Sequence, residues 1–131
     1  MEDLVFIDTS VWIAFFGKPT SREKAAVDEL LKADRAAIIG PILAEVLLGF
    51  RRKDQADWVA SRLRVSHYSG VEWNDWRASA HLGRELAAGG NKLPLTDLVL
   101  AVVANRYSSW LYTTDPHFDL IPDPKRYRPG S

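Results

Sequence analysis

The sequence predicts an α/β domain built on a mainly parallel sheet. Three features predict it. The strand-like runs are short and apolar throughout instead of alternating, as in strands covered on both faces. Helix-like stretches stand between them. The 131-residue chain is 47% apolar, with five tryptophans, enough to bury a core without staples.

Taken in order, Leu4-Val5-Phe6-Ile7 reads as a buried strand. Thr9 or Ser10 then caps a short helix over residues 11–16, closed by Gly17 and Pro19. Ser21 opens an amphipathic helix with Ala26, Leu30 and Leu31 inward. Residues 36–39 form a second short apolar strand, and Pro41 suits the first turn of a helix running to Gly49. Residues 53–63 are helical with Ala56, Val59, Ala60 and Leu63 inward. Residues 65–71 leave strand and loop both open. A long helix over residues 73–88 stops at Gly89-Gly90, and Thr96 caps another over residues 97–107. Residues 110–113 are a third strand, and the chain from Pro116 on is proline-rich and irregular. No repeat or linker interrupts the chain, so residues 1–131 are expected to form a single domain.

Composition excludes several classes. There are no cysteines, hence no disulfide framework and no thiolate zinc site. Glu2 and Asp3 stand where a signal peptide would be basic, and no apolar run approaches membrane-spanning length. A cytoplasmic protein with no membrane partner is expected. Seventeen basic residues balance seventeen acidic ones, so any polyanion contact must come from local patches.

Four carboxylates sit where an acid is locally out of place. Asp8 ends the first apolar strand, and Glu45 is the only charge between residues 36 and 50. Asp97 opens the apolar run 98–104, and Asp115 ends Leu111-Tyr112-Thr113-Thr114. An ionised acid beside apolar surface is costly unless a cation offsets it. Ligands in open α/β sheets bind beyond the carboxyl ends of the strands, where these acids fall. Hard oxygen ligands suit Mg2+, with Mn2+ the close alternative. Crowding and burial should raise the acids' pKa values when no metal is bound.

Each acid also has a structural explanation. Asp97 alone fits a helix N-terminus and Asp115 alone a turn before Pro116. Asp8 and Glu45 are harder to explain this way, because neither capping nor a polar helix face accounts for them. Ser10 and Thr114 are candidates to hold the ligands from behind. His117 and the basic clusters at residues 51–53 and 125–128 are weaker candidates for substrate contact.

The ordered motifs are recognisable. Ile7-Asp8-Thr9-Ser10-Val11-Trp12, Leu43-Ala44-Glu45-Val46, residues 96–104 beginning Thr96-Asp97, and Leu111-Tyr112-Thr113-Thr114-Asp115-Pro116-His117-Phe118 resemble the four motifs of PIN domains. Size and lack of an added domain make the chain similar to VapC-type toxins of prokaryotic VapBC toxin–antitoxin pairs. The resemblance implies a three-layer α/β/α sandwich and a Mg2+-dependent endoribonuclease acting on single-stranded or loop RNA, leaving a 5′-phosphate and a 3′-hydroxyl. It also implies a homodimer and a cognate antitoxin covering the acidic cleft. By motif match Asp8, Glu45, Asp97 and Asp115 are the metal and catalytic positions. Thr114 stands where members often carry a basic residue.

Two other classes compete with a nuclease. A receiver-like phosphorylation domain would need a second acid next to Asp8 and a lysine after a late strand, where Asp115 stands instead. A catalytically silent PIN-like module binding RNA or protein would leave four like charges without a use.

Overall fold

A computed structural model describes residues 3–130; Glu2, part of the signal-peptide reading, lies outside them. The chain folds as a four-stranded parallel sheet between helices, an α/β/α sandwich. Spatial strand order is β3 (His67–Ser69), β2 (Ala36–Ile39), β1 (Val5–Ile7), β4 (Trp110–Tyr112). β1 is central: Phe6 lies opposite Ala37 on one side and Leu111 on the other. Its three side chains are wholly buried, which is why the run shows no alternation.

From β1 the chain steps outward through α1 (Thr9–Gly17) and α2 (Arg22–Lys32) to β2, then through α3 (Gly40–Leu48) and α4 (Lys53–Leu63) to β3. α5 (Trp73–Ala88) and α6 (Leu95–Arg106) carry it back across the sheet to β4, on the other side of β1. This reversal makes the β1/β4 border a topological switch point, the usual ligand crevice of such sheets.

Local chemistry explains most elements. Ser21 caps α2, its hydroxyl accepting from Lys24 N at 3.0 Å. Pro41 occupies the first turn of α3, where no amide donor is needed. α6 buries Leu98, Val99, Leu100, Ala101, Val103 and Ala104, so it is apolar nearly all round and packs against α5, β1 and β4. Gly83 permits the α5–α6 approach, since a Cβ there would meet Leu98 Cδ1 at 3.0 Å. At the other end of the pair, Arg106 makes a bidentate bridge to the buried Asp75 at 2.8 and 2.9 Å.

Three local expectations are corrected. Thr9 and Ser10 do not cap α1; they lie within its first turn, and the cap is Asp8, whose carbonyl accepts from Val11 N and Trp12 N at 3.1 Å. Thr96 does not cap α6, because the Pro94 carbonyl already accepts from Asp97 N and starts the helix two residues earlier. The tail is more ordered than its prolines suggest. Residues Pro116–Leu120 form a 3-10 turn, and Leu111 N donates to Lys125 O while Tyr127 N donates to Leu111 O, both at 2.8 Å. The tail therefore covers the free edge of β4. Among the described residues, no helix is long and apolar enough to cross a membrane.

Candidate metal centre

The site lies at the carboxyl end of the β1/β4 border. Asp8 N donates to Tyr112 O at 2.9 Å, the last rung between the two strands, and its carbonyl opens α1. One residue thus ends the strand and starts the helix, which fixes its side chain at the sheet edge, only 4% exposed. Two hydroxyls hold one carboxylate oxygen: Ser10 Oγ donates to Asp8 Oδ2 at 2.9 Å and Thr113 Oγ1 at 2.8 Å. Thr114 Oγ1 donates to Ser10 Oγ at 3.1 Å, completing a chain from Thr114 through Ser10 to Asp8. Thr113 Oγ1 also accepts from Asp115 N at 3.0 Å, which tethers the fourth acid to the same strand end.

Glu45 enters from the second turn of α3, where Thr9 Oγ1 donates to its Oε1 at 2.7 Å. Asp115 Oδ1 accepts from His117 N at 2.9 Å and lies 3.1 Å from His117 Nδ1. Asp97 differs from all of these. It stands in the first turn of α6, only 9% exposed, and no described side chain or backbone donor reaches its carboxylate.

Electrostatics show that the four acids share one field. Burial pushes the Asp97 carboxyl up from an ordinary 3.8 to about 7, with further upward contributions from Asp8, Asp115 and Glu45, while His117 opposes them. Asp8 is raised as well, burial again leading; Thr113 and Ser10 pull it back, and Asp115 adds slightly to the rise. Desolvation is therefore the largest single cause of both shifts. Asp8, Glu45 and Asp115 are thus each near enough to act on the charge of Asp97, while Ser10 backs Asp8 and Thr114 backs Ser10.

This donor set is all oxygen, which suits a hard divalent cation. A nearly buried carboxylate with no protein donor, like Asp97, is costly when ionised and calls for a cation. As the side chains stand, no three His, Asp or Glu of the described residues form a ready ligand group. Glu45 is turned onto Thr9 and Asp115 onto His117.

Two contributors escaped sequence reasoning. Thr113 follows Tyr112, the register partner of Ile7, so it faces Asp8 across the strand ends; the parallel register was the missing signal. Thr9 looked like a cap; His117, a weaker candidate for substrate contact in the sequence, stands beside Asp115. The basic clusters also resolve. Arg126 donates to the carbonyls of Phe118, Pro124 and Ile121 and holds the tail together, so it is not placed to grip phosphate. Lys125 lies over the Trp110 ring at 5.5 Å. Arg52 forks onto Asp54 and Lys53 pairs with Asp57, both on exposed surface.

A model of the PIN domain matches residues 5–124. Ribonuclease VapC11 of Mycobacterium tuberculosis is 29% identical over 124 residues, covering 90% of this chain and 91% of that protein. VapBC2 of Rickettsia felis, solved with a promoter DNA fragment, superposes with a TM-score of 0.81 at 20% identity, over 95% of this chain and 97% of that one. VapC20 of Mycobacterium tuberculosis, a sarcin–ricin-loop-cleaving toxin, gives 0.68 at 16% identity, over 92% and 97%.

Proposed function

The chain belongs to the PIN domain family, and from that premise we propose that it is a Mg2+-dependent endoribonuclease, the toxin of a toxin–antitoxin pair. The observation that carries the reading is Asp97: a carboxyl nearly buried, without a protein donor, and lifted to about 7 by burial and three neighbouring acids. Such a group is only partly ionised at neutral pH, and a cation beside it would favour the charged form. The ribonuclease name of a relative that aligns over nearly its whole length supports the substrate class.

Asp8 and Asp97 would hold the ion, with Glu45 and Asp115 completing or tuning the site. When bound, a divalent cation supplies charge neutralisation at a phosphate and activation of water. The chain's own residues prepare for this. Ser10 and Thr113 fix which Asp8 oxygen is engaged by the protein. Thr9 orients Glu45, and the His117 imidazole lies beside Asp115. The partners proposed are an RNA substrate, a cognate antitoxin and a second copy of the chain, in the cytoplasm. Structural relatives solved as toxin–antitoxin complexes support the antitoxin.

The test is cleavage of RNA with and without Mg2+ by the wild type, Asp8→Ala and Asp97→Ala, each checked for folding. Both variants should lose cleavage while retaining the wild-type circular dichroism spectrum. Undiminished Mg2+-dependent cleavage in both would overturn the assignment. The silent-module reading has one observation in its favour, that three acids do not already stand as a ligand group among the described residues. Calorimetric titration decides between the two: heat of Mg2+ or Mn2+ binding supports the nuclease, and its absence supports the silent module.

A further inference from the structure

A cavity of about 580 Å3 lies beside the acidic cluster, between the start of α2 and the tail, walled in part by Arg22, Glu23, Tyr112, Thr113, Thr114 and Tyr127. That volume is within the usual range for a ligand site. Its wall is shared with the metal centre. Thr113 donates to Asp8 Oδ2 at 2.8 Å, and Thr114 donates at 3.1 Å to the Ser10 hydroxyl that backs Asp8.

The wall carries polar groups without protein partners. Tyr112 is only 3% exposed, yet its phenol makes no hydrogen bond to any described residue. A covered hydroxyl left unpaired is costly, so a donor facing a cavity calls for an acceptor inside it. Arg22 and Glu23 likewise form no ion pair or hydrogen bond with another described side chain, and the charges of both reach the Tyr112 phenol. Those two charges cancel, and Arg128, also in the wall, already has an interaction of its own. No net charge remains to hold a phosphate. The match is a neutral group that presents donors and acceptors side by side.

A carboxylate accepts through two oxygens at once and donates nothing. Of the four RNA bases, guanine alone sets two donors next to each other, N1–H and the N2 amino group, on its Watson–Crick edge. Its O6 and N7 are acceptors, which arginine pairs with readily. Single-stranded RNA offers such edges, because its bases are free to leave the stack. We propose that this cavity binds an unstacked guanine next to the cleaved phosphate, with Glu23 accepting from N1–H and the N2 amino group and Tyr112 and Arg22 donating to O6 and N7. The proposal rests on the ribonuclease reading above and adds a sequence preference to it. Because Thr113 joins the cavity to Asp8, the bound guanine sets which phosphodiester bond of the strand meets the acids.

The experiment cleaves a pool of single-stranded RNA of random sequence in Mg2+ and sequences the cut ends. The proteins are the wild type, Glu23→Ala, Tyr112→Phe, Arg22→Ala and a Glu29→Ala control at an exposed position of the same helix, each checked by thermal melting. The wild type and Glu29→Ala should enrich guanine about tenfold at one position flanking the cut, and each cavity variant should reduce this to about threefold or less. A second arm compares kcat/KM on one RNA carrying guanine or inosine at that position, since inosine lacks only the N2 amino group. The wild type should favour guanine about tenfold, and Glu23→Ala should treat the two alike within about twofold. A merely structural effect of the substitution would lower both rates equally and leave their ratio unchanged. Wild-type cut sites with no favoured base, or with a favoured base other than guanine, would overturn the base pocket and leave the nuclease intact. So would a guanine preference that survives undiminished in Glu23→Ala and Tyr112→Phe. Absence of Mg2+-dependent cleavage of the pool by the wild type would overturn both.

Discussion

Replacing Asp97 with asparagine isolates the cost of gathering four acids. The carboxyl ionises near 3.8 in an unfolded chain and about 7 in the folded one. At about 1.4 kcal/mol per pH unit, that gap corresponds to about 4 kcal/mol of stability. Because the folded value is the higher one, this stability is fully present below pH about 4 and is lost as pH rises through about 7. The acid faces an open cleft, so water and salt should reduce the effect to roughly 2 kcal/mol. For a chain of this size that is about 6–12 °C in melting temperature. Melting curves in chelator at pH 4 and pH 8.5 give the readout. The wild type should lose about 6–12 °C more than Asp97→Asn between the two pH values, and the variant should be the more stable protein at pH 8.5. Parallel pH dependence in the two proteins, within about 2 °C, would refute the reasoning, because Asp97 would then titrate as an ordinary acid.

Other outcomes follow from the same geometry. Mg2+ at about one hundred times its dissociation constant should stabilise the wild type by about 2.7 kcal/mol at pH 7.5 and Asp97→Asn far less; equal shifts in the two melts would place the ion elsewhere. Thr113→Val removes a donor from the buried Asp8, so it should cost about 1–2 kcal/mol in urea unfolding and move the acid limb of the cleavage profile to higher pH. An unmoved limb would show that Thr113 does not tune Asp8. Arg126→Ala leaves three tail carbonyls without their partner and should cost about 2–4 kcal/mol, against about 0.5 or less for Arg51→Ala. Equal unfolding midpoints would mean that the tail is held by other contacts.

Much of the architecture was legible because local and tertiary preferences agree. Residues 36–39, 53–63 and 73–88 are found as the apolar period and the stops at Gly40 and Gly89 predict. The failures fall where a side chain serves a distant partner. Thr9 and Ser10 have good capping chemistry, yet their hydroxyls go to Glu45 and Asp8, and the helix starts on the Asp8 carbonyl instead. Thr96 lost its expected role because the carbonyl of Pro94 had already begun α6. The tail's pairing with Leu111 joins segments far apart in sequence, which no local window contains. Arg126 looked like part of a solvated charge run, and only its three carbonyl partners show that it acts as a brace.

The acids themselves were conspicuous because each contradicts its surroundings, and the strand order puts Asp8 and Asp115, which follow β1 and β4, at the switch point. The hydroxyls behind them were not, since threonine at a strand end is unremarkable until the register is known. Burial leads the rise of Asp8 and Asp97, ahead of their mutual repulsion. That ranking makes the dry setting of the site, as much as its charge count, the source of its demand for a cation.

The most direct measurement is the anomalous scattering of Mn2+ in crystals grown or soaked at millimolar metal. The account predicts a peak in contact with carboxylate oxygens of both Asp8 and Asp97, lost in Asp97→Asn crystals. A clear map with no Mn2+ beside these two acids, or a peak bound only to acids elsewhere on the surface, would contradict it.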